Sequence, residues 1–215
     1  MRPTSSPIVH DARYEIHFGD RLVGHEFVRR VEGEAFLCIE GRIRQTAPEP
    51  IDLVYDVLRV NGRLESLSVR FQLAGLEIDH EAWRRGDRLV STVKRFDRKF
   101  QASTLLPILV DVGSPLSWLE PDLIEGSFPM WGVRPPDLQG YRLEAQSGPP
   151  SARRRFEAGG ATIRAEWTEG AFWPARVDVT RPRWEDDALV RTRNDELLGS
   201  SSFAPRLEGR CPTRP

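Results

Sequence analysis

Residues 51 to 73 read IDLVYDVLRV, NG and RLESLSVRFQL, and this stretch decides the fold. Its second half alternates apolar and polar residues up to Leu73, so an extended strand here would carry one apolar face. The Asn61-Gly62 dipeptide between the two halves tolerates positive φ and suits a two-residue turn. The stretch therefore predicts a β-hairpin with strands at 51–60 and 64–73.

The same alternation recurs along most of the chain, in short segments separated by turns rich in Gly and Pro. Tyr14 to Phe18 and residues 161–168 show it clearly. The succession predicts an all-β, mainly antiparallel fold, a curved half-barrel or a barrel-like meander with a short helical or irregular insert. We expect one β-rich domain over residues 12–198, and flexible ends at 1–11 and 199–215, which are rich in Pro, Ser and Arg without periodicity.

The insert is expected at about residues 104–131. Its start, from Leu105 to Val110, is apolar without alternation, and Ser114-Pro115 resembles the cap and first position of a helix. Residues 120–140 contain so many Pro and Gly residues that they are typical of a long irregular connection. An apolar insert has to pack against something, and we expect it on the concave face of the sheet.

Because the charges of the chain nearly balance, we do not expect a nucleic-acid partner. The chain has 31 basic and 32 acidic residues, so no long-range field attracts a polyanion. The run Arg153 to Arg155 is expected to be a solvated hairpin rim, with an anionic ligand group as the alternative. No window is apolar enough for a signal peptide or a transmembrane segment, and the sequence therefore predicts a soluble, cytoplasmic protein.

Neither a metal nor a cofactor is expected. Cys38 and Cys211 form no close-spaced metal motif, and a disulfide between them is compatible with the sequence but not indicated by it. His17, His25 and Glu26 could meet around the first hairpin, but three ligands without a recognised spacing do not predict a metal site.

His80 is the candidate catalytic residue, because it lies on an apolar strand face. A neutral imidazole there could act as an acid or base or donate a hydrogen bond to a ligand, and a satisfied core histidine is the other interpretation. Asp111, Asp122 and Glu125 near the insert are alternative acids or bases, or else exposed charges. No hydrolase elbow, phosphate-binding loop or zinc-protease motif is present.

Trp118 and Trp131 are the first candidates for ligand contact, because they lie in the insert rather than on a well-patterned strand. Tryptophans in such positions form pocket walls or plain core. Together with His80 and Phe71, which lie on apolar strand faces, they complete the set of residues expected to bind a ligand.

The order of motifs resembles the LolA-like half-barrel superfamily of bacterial lipid and lipoprotein carriers, over about residues 12–195. The resemblance implies an incomplete barrel that holds a hydrophobic ligand on its concave face, under a plug at residues 104–131. The sequence shows neither the leader nor the lipobox cysteine of secreted members, so extracytoplasmic lipid transport is not carried over. The matching positions are Tyr14-Glu15-Ile16, Leu22-Val23-Gly24-His25-Glu26, Glu166-Trp167 and Phe172-Trp173-Pro174-Ala175-Arg176-Val177.

Three functions are compatible with this architecture. The first is binding of a hydrophobic or amphipathic small molecule between the concave sheet and the insert. The second is an enzyme of the cyclase or isomerase type that acts on a hydrophobic metabolite in the same cavity, with His80 or an insert carboxylate moving a proton. The third is a structural or interaction protein whose concavity is filled by Leu105, Leu106, Ile108 and Trp118.

Overall fold

The computed structural model describes residues 6–73, 76–95, 98–105, 109–119, 126–133, 136–145, 153–185 and 187–196. These residues form one sheet of fifteen strands and two 3-10 turns, Pro115–Ser117 and Pro182–Trp184. The strands are β1 (Ile8–Phe18), β2 (Arg21–Glu32), β3 (Phe36–Gln45), β4 (Ile51–Val60), β5 (Arg63–Leu73), β6 (Leu76–Arg85), β7 (Arg88–Arg95), β8 (Arg98–Leu105), β9 (Leu109–Asp111), β10 (Gly126–Val133), β11 (Pro136–Ala145), β12 (Arg153–Ala158), β13 (Ala161–Glu166), β14 (Arg176–Thr180) and β15 (Ala188–Arg193).

The sheet consists of two meanders that meet at β1. Strands β1 to β8 follow one another outward from the middle, and β9 to β15 return from the opposite edge until β15 pairs with β1. The pair β9 and β10 is parallel, and the other pairs of neighbouring strands in the described residues are antiparallel. The predicted all-β, mainly antiparallel fold is therefore confirmed.

The connection between the meanders shows that the sheet is strongly curved. Strands β8 and β9 are the two edges of the sheet, yet Leu105 and Leu109 are only four residues apart and can be separated by about 14 Å at most. A flat sheet of this width could not bring its edges so close. The sheet is rolled into a barrel-like shape, and its two edge strands do not pair in the described residues.

The hairpin predicted from residues 51–73 is present. Strand β4 covers Ile51–Val60, and β5 begins at Arg63. The turn residues Asn61 and Gly62 have φ of 50° and 74°, the left-handed conformation for which these residue types were expected. Turn chemistry was therefore a sufficient signal for this part of the fold.

The inner face of the rolled sheet is filled by a segment of the expected insert. Residues 109–119, here called the plug, contribute a set of side chains that are at most 2% exposed and belong to the main core cluster. The curved sheet thus encloses part of its own chain, as expected. The buried plug side chains are Leu109, Val110, Val112, Leu116, Trp118 and Leu119.

Three expectations for this region need correction. Leu105 does not fill the concavity, because it is 60% exposed at the end of an edge strand. Ser114 caps the following turn through its side chain, as expected, but the turn is a single 3-10 turn rather than a helix. Residues 120–140 are not one irregular connection, since β10 and the first half of β11 lie within them.

Proline positions explain why residues 126–145 can form strands. Pro129 faces Gly140 of β11, and on the other side β9 pairs only with Met130 to Gly132. The missing N–H of Pro129 is therefore not required by β9. Pro136 is the first residue of β11, where a proline is also tolerated.

The boundaries of the domain differ slightly from the expectation. Strand β1 begins at Ile8 rather than at residue 12. On the outer face, Val31 and Cys38 form a second small apolar cluster, and Cys38 is disulfide-bonded. Several residues named in the sequence analysis lie outside the described residues, namely Leu106, Ile108, Asp122, Glu125, Cys211 and the tail at 199–215.

Candidate functional site

A cavity of about 100 Å³ lies between the plug, the β3–β4 connection and strands β13 to β15. Trp118, Ile163 and Leu189 provide apolar lining. Trp118 is held in place by an edge-to-face contact with Phe156 of β12, with ring centroids 5.2 Å apart. The apolar part of the cavity is therefore built on rigid core residues.

Charged side chains line the rest of the cavity. Arg181, Arg183 and Arg191 are opposed by Glu49 and Asp111. Asp111 also accepts a 2.8 Å hydrogen bond from the backbone N–H of Gly113. A small cavity with both apolar walls and several guanidinium groups favours a guest that is itself amphipathic.

The innermost of these arginines belongs to a buried ion pair. Arg191 Nε donates a 2.6 Å hydrogen bond to Glu26 Oε2, and the two side chains are 4% and 0% exposed. Removing two charges from water is costly, so such a pair persists only where its geometry is good and further hydrogen bonds are present. Those further bonds come from the plug and from β4.

Ser114 and Tyr55 complete the surroundings of the Glu26 carboxylate. The hydroxyl of Ser114 donates to Glu26 Oε1, and the hydroxyl of Tyr55 lies 3.4 Å from the same oxygen. The Ser114 oxygen also accepts a hydrogen bond from the backbone N–H of Leu116. One carboxylate therefore links β2, β15, β4 and the plug.

The position of Tyr55 depends on a glycine of the neighbouring strand. Gly41 pairs with Tyr55 across β3 and β4, and a Cβ atom at Gly41 would overlap the Tyr55 ring. Burial raises the pKa of Tyr55 well above its ordinary value, and the charge of Glu26 raises it further. The phenol is therefore a neutral hydrogen-bond donor to the carboxylate.

Tyr14 supports the same region from β1. Its hydroxyl donates a 2.7 Å hydrogen bond to the backbone carbonyl of Pro174. Burial raises the pKa of Tyr14 well above its ordinary value, and the nearby Glu26 charge acts in the same direction. Both tyrosines thus place neutral phenols around one buried ion pair.

The rim of the cavity is formed by the 3-10 turn at Pro182–Trp184 and the β3–β4 connection. Arg183 and Glu49 form an ion pair between them, and these side chains are 59% and 41% exposed. Arg181 donates a 3.2 Å hydrogen bond to the backbone carbonyl of Gly159, and its guanidinium lies 5.7 Å from the centre of the Trp184 ring. The exposure of the Arg183–Glu49 pair identifies this side as the open one.

The structure separates the residues that the sequence analysis grouped together. Trp118 lines the cavity, whereas His80, Trp131 and Phe71 are not among its lining residues. All four are buried, and Trp118, Trp131 and Phe71 belong to the same core cluster. The imidazole of His80 and the indole of Trp131 lie 6.4 Å apart, measured between ring centroids.

His80 is buried without a hydrogen bond to the described residues. Its side chain is 0% exposed, and neither ring nitrogen has a hydrogen-bond partner in the part of the chain that the structure describes. Burial lowers the pKa of His80 to about 4, so the imidazole is neutral at pH 7.

The ion pair of Glu26 and Arg191 was not predicted from the sequence. Glu26 was considered only as a metal ligand with His17 and His25, and in the part of the chain that the structure describes no three His, Cys, Asp or Glu side chains are grouped to hold a metal. The signal available was the alternation of β2, which places Glu26 on the same face as Val28. The described residues also contain no helix with the length and apolar character needed to cross a membrane.

Comparison with known proteins supports the fold. No family model matches the chain, and no curated protein matches it. A crystal structure of a β-barrel-like protein of a domain of unknown function, DUF1849, from Brucella abortus is similar, with a TM-score of 0.56 and 7% sequence identity. The match covers 88% of this chain and 97% of that chain. At this identity the likeness shows a shared β-barrel-like fold, and the resemblance to LolA-like carriers stays a prediction.

Proposed function

We propose that the chain binds a small amphipathic molecule whose compact anionic end enters the cavity between the plug and β13 to β15. The observation that carries the proposal is the mixed lining of this cavity, with Trp118 and Leu189 on one side and three guanidinium groups on another. The hydrophobic ligand expected from the sequence is thereby given a charged end.

Hydrogen-bond donors of two arginines support an anionic guest. The guanidinium of Arg191 makes one hydrogen bond within the described residues, through Nε to Glu26, while the residue lines the cavity. Arg181 bonds to a backbone carbonyl and forms no ion pair with a described carboxylate. Guanidinium groups bind carboxylates and phosphates in a fork geometry that ammonium groups cannot match.

The size of the cavity limits what enters it. Typical small-molecule pockets measure about 300–1,000 Å³, and this cavity has about 100 Å³ because the plug fills most of the concave face. A carboxylate with a few methylene groups fits such a volume. A longer apolar tail would lie over the open rim or displace part of the plug.

The test is calorimetric titration of the protein with octanoate, octanol and octyltrimethylammonium. We expect octanoate to bind most tightly. The Arg181→Gln substitution should weaken octanoate binding about tenfold, since charge-assisted hydrogen bonds contribute about 1.5–3 kcal/mol.

Arg164→Gln is the matched control, because Arg164 is an exposed residue on β13, next to the cavity residue Ile163, and does not line the cavity. This variant should bind octanoate as the unmodified protein does. Equal affinity for octanoate and octanol, or an equal loss in both variants, would contradict an anion site at Arg181.

The enzyme alternative has less support from the geometry. His80, its proposed proton carrier, does not line the cavity. Asp111, the insert carboxylate named as the other candidate, does line it together with Glu49, and an isomerase-type reaction would have to use one of these two carboxylates. If none of the three titrants binds, the result favours the filled-core alternative.

The Cys38 disulfide bears on the location of the protein. The sequence analysis expects a cytoplasmic protein, whereas disulfides persist mainly in oxidising compartments. Acid quenching of host cells, followed by maleimide alkylation of the denatured protein, decides between the two, because Cys38 is buried in the folded protein. An unreactive Cys38 favours an oxidising compartment, and a Cys38 that reacts quantitatively supports the cytoplasmic proposal.

A further inference from the structure

Four buried polar atoms on the inner face of the sheet have no hydrogen-bond partner among the described residues. They are Nδ1 and Nε2 of His80, Oγ of Ser91 and Nε1 of Trp131. The three residues are 0%, 1% and 3% exposed, and none of them lines the cavity described above. Buried polar groups in folded proteins are nearly always hydrogen-bonded, so this concentration of unpaired atoms requires an explanation.

The strand register brings these residues to one region. His80 of β6 faces Val93 of β7, and Ala82 faces Ser91. His80 and Ser91 therefore occupy diagonal positions on the same face of neighbouring strands, a separation that side chains can span. Trp131 comes from β10 in the other meander, and its ring centroid lies 6.4 Å from that of His80.

The chemistry of the three side chains defines what they can bind. An indole N–H only donates a hydrogen bond, and a serine hydroxyl donates or accepts. A neutral imidazole donates at one ring nitrogen and accepts at the other. The three therefore offer up to three donors to one oxygen atom. A charged guest would lose its hydration without a formal counter-charge from these side chains, which is costly.

We propose that His80, Ser91 and Trp131 form a second binding site, which takes the carbonyl or hydroxyl oxygen of a small neutral molecule. The surrounding inner-face residues are apolar, among them Val69 opposite His80 in β5. The rest of the guest is therefore apolar. This site goes beyond the proposed amphipathic cavity and uses none of its residues.

The test follows the indole N–H resonance of Trp131 in the full-length ¹⁵N-labelled protein during titration with 2-butanone and with 2-butanol. The Trp131→Phe variant assigns the resonance. We expect a saturable shift of this resonance with both probes. Ser91→Ala should weaken the apparent affinity about fivefold to tenfold, as expected for one lost hydrogen bond.

Thr92→Ala provides the matched control, because Thr92 is the next residue of β7, pairs with Glu81 and faces the opposite side of the sheet. It should bind the probes as the unmodified protein does. The proposal is overturned if the Trp131 resonance shows no saturable shift, if Ser91→Ala binds both probes unchanged, or if soaked crystals retain only an ordered water between the three side chains. Because the two sites share no residue, failure here is distinguishable from failure of octanoate binding.

Discussion

At the scale of single residues, the pair of Glu26 and Arg191 is the strongest constraint on the core. Glu26 accepts from residues of three other parts of the fold, and its partner Arg191 is 165 positions away in the chain. Breaking a buried pair from one side leaves an uncompensated charge, which costs more than the pair itself contributes.

Glu26→Gln should therefore lower the free energy of unfolding by about 3–5 kcal/mol, measured by urea denaturation. Glutamine keeps an oxygen for Ser114 and Tyr55 but leaves the Arg191 charge unpaired. Asp178→Asn is the control, because its pair with Arg176 is partly exposed, at 49% for Arg176 and 28% for Asp178, and should contribute less than about 1 kcal/mol. A loss below about 1 kcal/mol in Glu26→Gln would show that Arg191 finds another partner.

His80 predicts a dependence of stability on pH. Its pKa is about 4 in the folded protein, against 6.5 for a histidine in water, so the unfolded chain binds more protons between these values. Stability should be constant above pH 6.5 and fall on acidification toward pH 4, by about 3 kcal/mol from this residue. Urea denaturation between about pH 4 and 7 measures the slope.

His80→Leu should reduce that slope and raise stability at pH 7, because an apolar side chain replaces two unpaired nitrogens. An unchanged slope would assign the acid sensitivity to other groups. Lower stability of His80→Leu at pH 7 would show that water or a ligand pairs His80 in solution.

A side chain at position 41 is predicted to displace the ring of Tyr55. Gly41→Ala should destabilise the protein by about 1–3 kcal/mol, because the added Cβ displaces the Tyr55 ring from a packed core. Thermal denaturation measures the loss. Arg44→Ala on the exposed side of β3 is the control and should change stability by about 0.5 kcal/mol or less, and an equal effect of the two substitutions would contradict the steric argument.

At the scale of elements, the plug is expected to contribute to the core as strongly as the strands do. Leu116 is 0% exposed, and Leu116→Ala should cost about 3–5 kcal/mol through the lost contacts and the cavity left behind. Leu105→Ala is the matched substitution, because Leu105 is 60% exposed and should change stability by about 0.5 kcal/mol or less. Urea denaturation of both variants measures the free energies of unfolding. Similar losses in the two variants would contradict the assignment of the core-filling segment to residues 109–119.

The elements differ in how well the sequence predicts them. Strand β4 is found at the predicted Ile51–Val60, because local alternation and the Asn61-Gly62 turn determine it. The residues of β10 and of the first half of β11 were expected to be irregular because they are rich in Pro and Gly, but pairing with distant strands makes them extended. Local signals thus define hairpins and fail where distant strands decide.

The candidate site was less predictable than the fold for the same reason. Trp118, expected to contact a ligand because it lies in the insert, lines the cavity, and its contact with a ligand stays a prediction. Glu26 and Arg191 were not paired, since nothing local in either strand indicates a partner in the other meander. The contact of His80 with Trp131 also depends on the rolling of the sheet.

At the scale of the whole molecule, the rolled sheet explains why the cavity beside the plug is small. Its two meanders meet at β1 and enclose the plug, and the Glu26 carboxylate joins both meanders to the plug. The cavity lies where Trp118, β13 and the arginines meet. A guest that fits this space must be small at its charged end.

The most direct test of the proposed binding function is native mass spectrometry, followed by organic extraction, of the protein purified from its own host. The proposed function predicts one equivalent per chain of an amphipathic molecule with an anionic group, displaced by excess octanoate. A protein that carries no small molecule and shows no saturable binding of octanoate would contradict it, and would favour a filled-core structural or interaction protein.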